Sequence, residues 1–82
     1  MALDQILSEV NDIFRDVLNN KKINLNESTT AKDISEWDSL SNIHLILNIE
    51  QHFKIRFTSL EYQSWKNVGD MVRNIEKKST KS

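Results

Sequence analysis

Apolar residues open the chain in a regular pattern: Leu3, Ile6, Leu7, Val10, Ile13, Phe14 and Val17. The spacing i, i+3, i+4, i+7 places them on one stripe of a helix. Gln5, Ser8, Glu9, Asp12 and Asp16 form the opposite, polar face, and the helix should stop near Asn19–Asn20. A second pattern runs from Leu40 through Ile43, Leu45, Ile46, Leu47 and Ile49 to Phe53. Three consecutive apolar residues, 45–47, widen its face. The run is β-branched enough for a strand, but its length and the recurrence 40–43–46–49–53 favour a helix buried over more than half its circumference. Asp38 fits its N-cap, with Ser39 as the first helical residue. A third pattern, Val68, Met71, Val72 and Ile75, repeats the helical spacing. Asn67 is a suitable N-cap there, and Asp70 three residues on makes a near relative of a capping box. Thr58 and Glu61 have capping-box spacing in TSLEYQSW, which predicts a short helical turn over about 59–64.

Residues 19–38 then form a connection of abnormal length for so small a domain. Ile23, Leu25, Ile34 and Trp37 are placed to tack it onto the helices. The expected fold is therefore all-α: a four-helix bundle with a short third helix and a long anchored crossover between the first two. One domain is expected over 1–77. Residues 78–82 end the polar stretch KKSTKS and are expected to be a frayed basic tail.

Composition narrows the chemistry. The 82 residues include no cysteine, no proline and one glycine. Disulfides, thiolate metal sites, a cysteine nucleophile and glycine-loop chemistry are thereby excluded. No apolar run approaches the roughly 18 residues that span a bilayer. The opening MALDQILSEVND carries an acid and polar breaks, unlike a secretory signal, so a cytoplasmic protein without membrane insertion is expected. Net charge is −1, which offers no support for nucleic-acid binding. This total conceals a gradient: residues 1–38 hold eight acids and four bases, residues 39–82 four acids and seven bases.

The long connection ends in Glu36-Trp37-Asp38-Ser39-Leu40, placing a serine hydroxyl at the start of a helix. Unpaired N–H groups and the helix dipole favour a phosphate ester there. The plainer reading is that Asp38 and Ser39 are only a capping pair. Asp38-Ser39-Leu40, followed by Ile43, Leu45, Ile46, Leu47, Ile49, Glu50 and Phe53, resembles the acyl carrier protein family. The resemblance extends over about residues 3–77. It includes the amphipathic first helix, the long loop, the short third helix and Asn67-Val68-Gly69-Asp70, similar to the Thr-Val-Gly-Asp that often opens the family's last helix.

The resemblance implies a carrier rather than an enzyme, working as a monomer. Ser39 would receive 4′-phosphopantetheine from coenzyme A through a separate phosphopantetheinyl transferase, with Asp38 and Leu40 completing the attachment motif. The arm's thiol would carry an acyl group as a thioester to loading, condensing or acyl-transfer enzymes. Trp37, Ser41, Ile43, His44, Leu47 and Glu50 are the expected partner contacts. Trp37 fits a loop anchor equally well. Ile43, Leu47 and Ile49 are placed either to line an acyl site inside the bundle or to form ordinary core. The match departs from the fatty-acid-synthesis carriers in one respect. Their second helix is typically rich in acids that meet basic patches on partner enzymes, whereas between Ser39 and Phe53 this chain has only Glu50. Trp37 and the ending His52-Phe53-Lys54-Ile55-Arg56-Phe57 look more like discrete carriers of specialised pathways, polyketide-like, aminoacyl or surface-modifying, with fatty acid synthesis as the other pathway left open.

His44, Asn48 and His52 share a helical face, but the two imidazoles lie about 12 Å apart along the axis, too far to share a metal. A solvated polar face is expected. Ser39 and His44, five residues apart, do not face each other as a dyad, and no nucleophile elbow is present. Tyr62 and Trp65 are expected to pack the short third helix. The rival to the carrier reading is a small helical interaction module with no prosthetic group, in which Asp38-Ser39 is only a helix cap.

Overall fold

A computed structural model of the chain describes residues 2–79. Four helices follow one another: α1 (Leu3–Val17), α2 (Ser39–Phe53), α3 (Ser59–Ser64) and α4 (Val68–Ser79). No strand occurs among the described residues. α1 packs against both α2 and α4. Ile6, Val10 and Phe14 of α1 meet Leu45 and Ile49 of α2 and Val68, Met71, Val72 and Ile75 of α4 in one core. Helix starts and the short α3 lie where the capping signals predict them. The Thr58–Glu61 box is closed in both directions, Thr58 N–H to Glu61 at 2.9 Å and Glu61 N–H to Thr58 at 3.2 Å.

The long connection is built into the fold. Ile23 and Leu25 are buried in the core, with Ile34 and Trp37 packed against it. The buried side chain of Asn11 in α1 holds it from beneath. Its Oδ1 accepts from Leu25 N–H at 2.7 Å, and its Nδ2 donates to the Ile23 carbonyl at 3.5 Å. Arg15 Nε donates to that same carbonyl at 2.7 Å. Asn11 carries no helical-stripe signal, so periodicity overlooks it. A single 3₁₀ turn, Ala31–Asp33, interrupts the connection where the pattern predicts none.

The loop also caps α4. Val68 N–H donates to the Thr29 carbonyl at 2.8 Å, and Gly69 N–H to the Glu27 carbonyl at 2.9 Å. Two of the amides that a helix start leaves without an intrahelical partner are thus satisfied by the crossover. Asn67 Oδ1 takes a third, Asp70 N–H, at 2.9 Å. Asp70 itself reaches back to Lys66 N–H rather than to the cap residue, the one-residue offset from a true capping box. A Cβ on Gly69 would stand 2.9 Å from the Glu27 carbonyl oxygen, so the chain's one glycine sits where the loop backbone needs the room. Among the described residues, positive φ falls on Asn19 and Lys54, after α1 and α2.

Two expectations are corrected. α2 is not buried over most of its circumference: Leu45, Ile46 and Ile49 are its buried residues, while Leu40, Ile43 and Leu47 are 67%, 57% and 50% exposed. The core needs one face only, because α2 packs on α1 from one side. Lys78 and Ser79, expected in a frayed tail, are the end of α4. Lys78 Nζ pairs with Glu61 at 2.9 Å and lies over the Phe57 ring. The rest of that expected tail, 80–82, lies outside the described residues.

Candidate functional site

α2 starts where Asp38 turns from extended backbone into the helix. Its Oδ1 accepts Ser41 N–H at 2.9 Å, and Ser41 Oγ accepts Asp38 N–H at 2.8 Å. Ser41 Oγ also donates to the Glu36 carbonyl at 2.8 Å. The capping pair is therefore Asp38–Ser41, with serine doing the work usually given to glutamate or glutamine three residues after the cap. Asp38-x-x-Ser41 carries that signal in the sequence, but the adjacent Ser39 draws attention from it. The cap's hydrogen bonds, first that from Ser41 N–H, hold the Asp38 carboxyl below its ordinary range.

Ser39 is consequently spared. It is exposed on the first turn of α2, and its hydroxyl has no hydrogen-bond partner among the described residues. Beside it opens a cleft of ≈ 320 Å³ between the α2 start, α3 and the start of α4. Trp37, Asn42, Tyr62, Lys66 and Met71 help to line it. Trp37 is a loop anchor: its ring meets Phe14 edge-on at 4.9 Å, and its Nε1 donates to Asn42 at 3.0 Å. It also walls the cleft. Tyr62, Lys66 and Met71 escape a sequence reading because they arrive from α3, α4 and the segment between them, far along the chain from Ser39.

The remaining expected contacts divide. Leu40, Ile43 and Leu47 are exposed, as is His44. Ile43 and Leu47 are thus neither core nor interior lining, whereas Ile49 is core. Ser41 is committed to the cap. Glu50 Oε2 accepts Phe57 N–H at 2.8 Å, tying the end of α2 to the segment before α3. His52 stays on the exposed face, as expected, with its Nε2 2.6 Å from Glu9 Oε1 of α1. Among the described residues no group of three or more His, Asp or Glu is arranged to hold a metal, and no helix is long and apolar enough to cross a membrane.

On the far side of the cleft, α3 is attached by polar contacts. Trp65 meets Phe57 edge-on at 4.9 Å and donates from Nε1 to Asn74 at 3.1 Å. Asn74 donates in turn to Glu61 at 3.2 Å. The Thr58 N–H, then Lys78 and Asn74, hold the Glu61 carboxyl down to about 2.

A helical bundle that leaves an unpaired serine hydroxyl at a helix start, beside an open cleft, is the architecture of a carrier domain, and comparison with known proteins agrees. No family model matches the chain. It is 29% identical over 76 residues to the acyl carrier protein of Exiguobacterium sibiricum, covering 93% of this chain and 96% of that protein. The solution structure of a holo acyl carrier protein from Geobacter metallireducens superposes with a TM-score of 0.88 at 42% identity, covering 93% of this chain and 87% of that one. The chain belongs to the acyl carrier protein family, and its role is that of a carrier, not an enzyme.

Proposed function

We propose that Ser39 is the attachment point of a 4′-phosphopantetheine arm, transferred from coenzyme A by a phosphopantetheinyl transferase. The observation that carries this reading is the division of labour at the α2 start: Ser41 closes the cap, and the Ser39 hydroxyl has no hydrogen-bond partner among the described residues. The residues present fit the group. Ser39 is exposed at the positive end of the α2 dipole, and the adjacent cleft offers Lys66 as a cation and Trp37, Tyr62 and Met71 as nonpolar surface. When attached, the arm supplies the thiol that this cysteine-free chain lacks. In the rival reading, an interaction module without a prosthetic group, Asp38-Ser39 would be only a helix cap; here Asp38 caps α2 together with Ser41, and the Ser39 hydroxyl takes no part.

The pathway we propose is a specialised one, polyketide-like or another branch of secondary metabolism, rather than general fatty-acid synthesis. α2 has no acid in its first turn, and its one acid, Glu50, is tied to Phe57 N–H. Steering toward a basic docking patch is therefore weak. Co-expression with a broad-specificity transferase should add the mass of one arm to the intact protein, and Ser39→Ala should abolish the gain. No gain with several transferases would sink the carrier assignment of Ser39. A fatty-acid condensing enzyme with a basic docking patch should use the loaded protein about tenfold less efficiently than an acid-rich carrier. Equal efficiency would remove the pathway proposal.

A further inference from the structure

The exposed face of α2 combines two properties that together select a docking partner. Ser39, Ile43, Leu47 and Glu50 lie on one stripe at helical spacing, and Leu40 borders it. Ile43, Leu47 and Leu40 are half-exposed or more, although enough helix surface is available to bury Leu45, Ile46 and Ile49. A nonpolar strip left in water beside a functional group marks an interaction surface. At its far end the strip becomes cationic. Leu47, Glu50, Gln51, Lys54, Ile55 and Arg56 line one shallow cleft. Lys54 and Arg56 are exposed, and neither side chain has a partner among the described residues. Glu50 is the acid within this cleft, and Phe57 N–H engages its carboxylate.

We infer, resting on the carrier reading above, that the enzyme served by the arm docks along this face with a nonpolar strip bordered by carboxylates opposite Lys54 and Arg56. A basic border would set like charges against each other as the strip loses its water, which disfavours such partners. The geometry also fixes the layout. Ser39 and Lys54 are fifteen residues apart, about 22 Å along the axis. The partner's active-site mouth faces the Ser39 end, and its carboxylates stand about that distance away.

The test uses two synthetic amphipathic helical peptides with the same leucine stripe, one flanked by glutamate and the other by lysine. Each is titrated into the ¹⁵N-labelled, unloaded protein while amide shifts are followed. The glutamate peptide should shift the amides of 40–56 and bind about fivefold more tightly than the lysine peptide, the scale of two exposed charge pairs. The whole chain is net −1, so overall charge does not favour that ranking. The double variant K54E/R56E should reverse the ranking, and L47D should weaken both peptides, with helicity checked by circular dichroism. Equal binding, tighter binding of the lysine peptide, shifts outside residues 40–56 or no binding would each overturn the inference. Loading of Ser39 is read separately by mass. A loaded Ser39 without glutamate-peptide preference removes the docking inference alone. The preference without loading supports the docking face and removes the carrier assignment of Ser39.

Discussion

Three residues show how single side chains set up the site. Asp38 and Ser41 satisfy each other's amides across the α2 start, which leaves the Ser39 hydroxyl unengaged. Ser41→Ala or Asp38→Ala should therefore cost about 1 kcal/mol of unfolding free energy. Ser39→Ala should stay within about 0.5 kcal/mol, while abolishing arm attachment. Urea denaturation of the three variants checks the ordering, and a larger loss at Ser39 than at Ser41 would contradict the assigned cap. Asn11 is the third. Its buried amide binds Leu25 N–H and the Ile23 carbonyl, so Asn11→Ala strands two loop groups at a cost of about 1–3 kcal/mol. A change within about 0.5 kcal/mol would show that the loop is held by Ile23 and Leu25 alone. The Asp38 cap was legible because its partners lie within four residues. Asn11 was not, because its partners lie on a loop more than ten residues on and nothing near Asn11 signals the contact.

At the scale of elements, α3 is the weakly held one. It has no buried residue and depends on Glu61, which joins the cap at Thr58 to Asn74 and Lys78 of α4. Those donors lower the Glu61 carboxyl from 4.5 to about 2. A carboxyl lowered in the folded state stabilises that state above its unfolded pKa and loses the contribution as pH falls through the folded one. The attachment of α3 should thus be complete above pH 4.5 and be lost toward about pH 2. The indole N–H resonance of Trp65, bonded to Asn74, should report this in an acid titration, and Glu61→Gln should flatten the change. An unchanged profile in that variant would assign the acid sensitivity to other carboxyls. The α3 cap was readable from Thr58 and Glu61 at the right spacing. The α2 face was not, since three consecutive apolar residues fit a helix buried on either side.

At the scale of the molecule, the crossover holds the helices in place around the site. Glu27 and Thr29 carbonyls cap α4 while Asn11 binds the loop to α1. Gly69→Ala tests this arrangement. Alanine raises helix propensity by about 1 kcal/mol, yet its Cβ would meet the Glu27 carbonyl oxygen at 2.9 Å. Net destabilisation of about 1–3 kcal/mol is expected, with amide shifts at residues 27–29, and a stabilised variant would show that the loop yields freely.

The sequence by itself determined the four helices, their caps, the serine at the α2 start and the family resemblance. These are written in periodicity and in signals that act across three or four residues. Only the tertiary structure decided which side of α2 faces water and why the one glycine stands at 69. Each of those depends on what α1, α4 and the crossover bring from far along the chain, and local spacing carries no record of such neighbours.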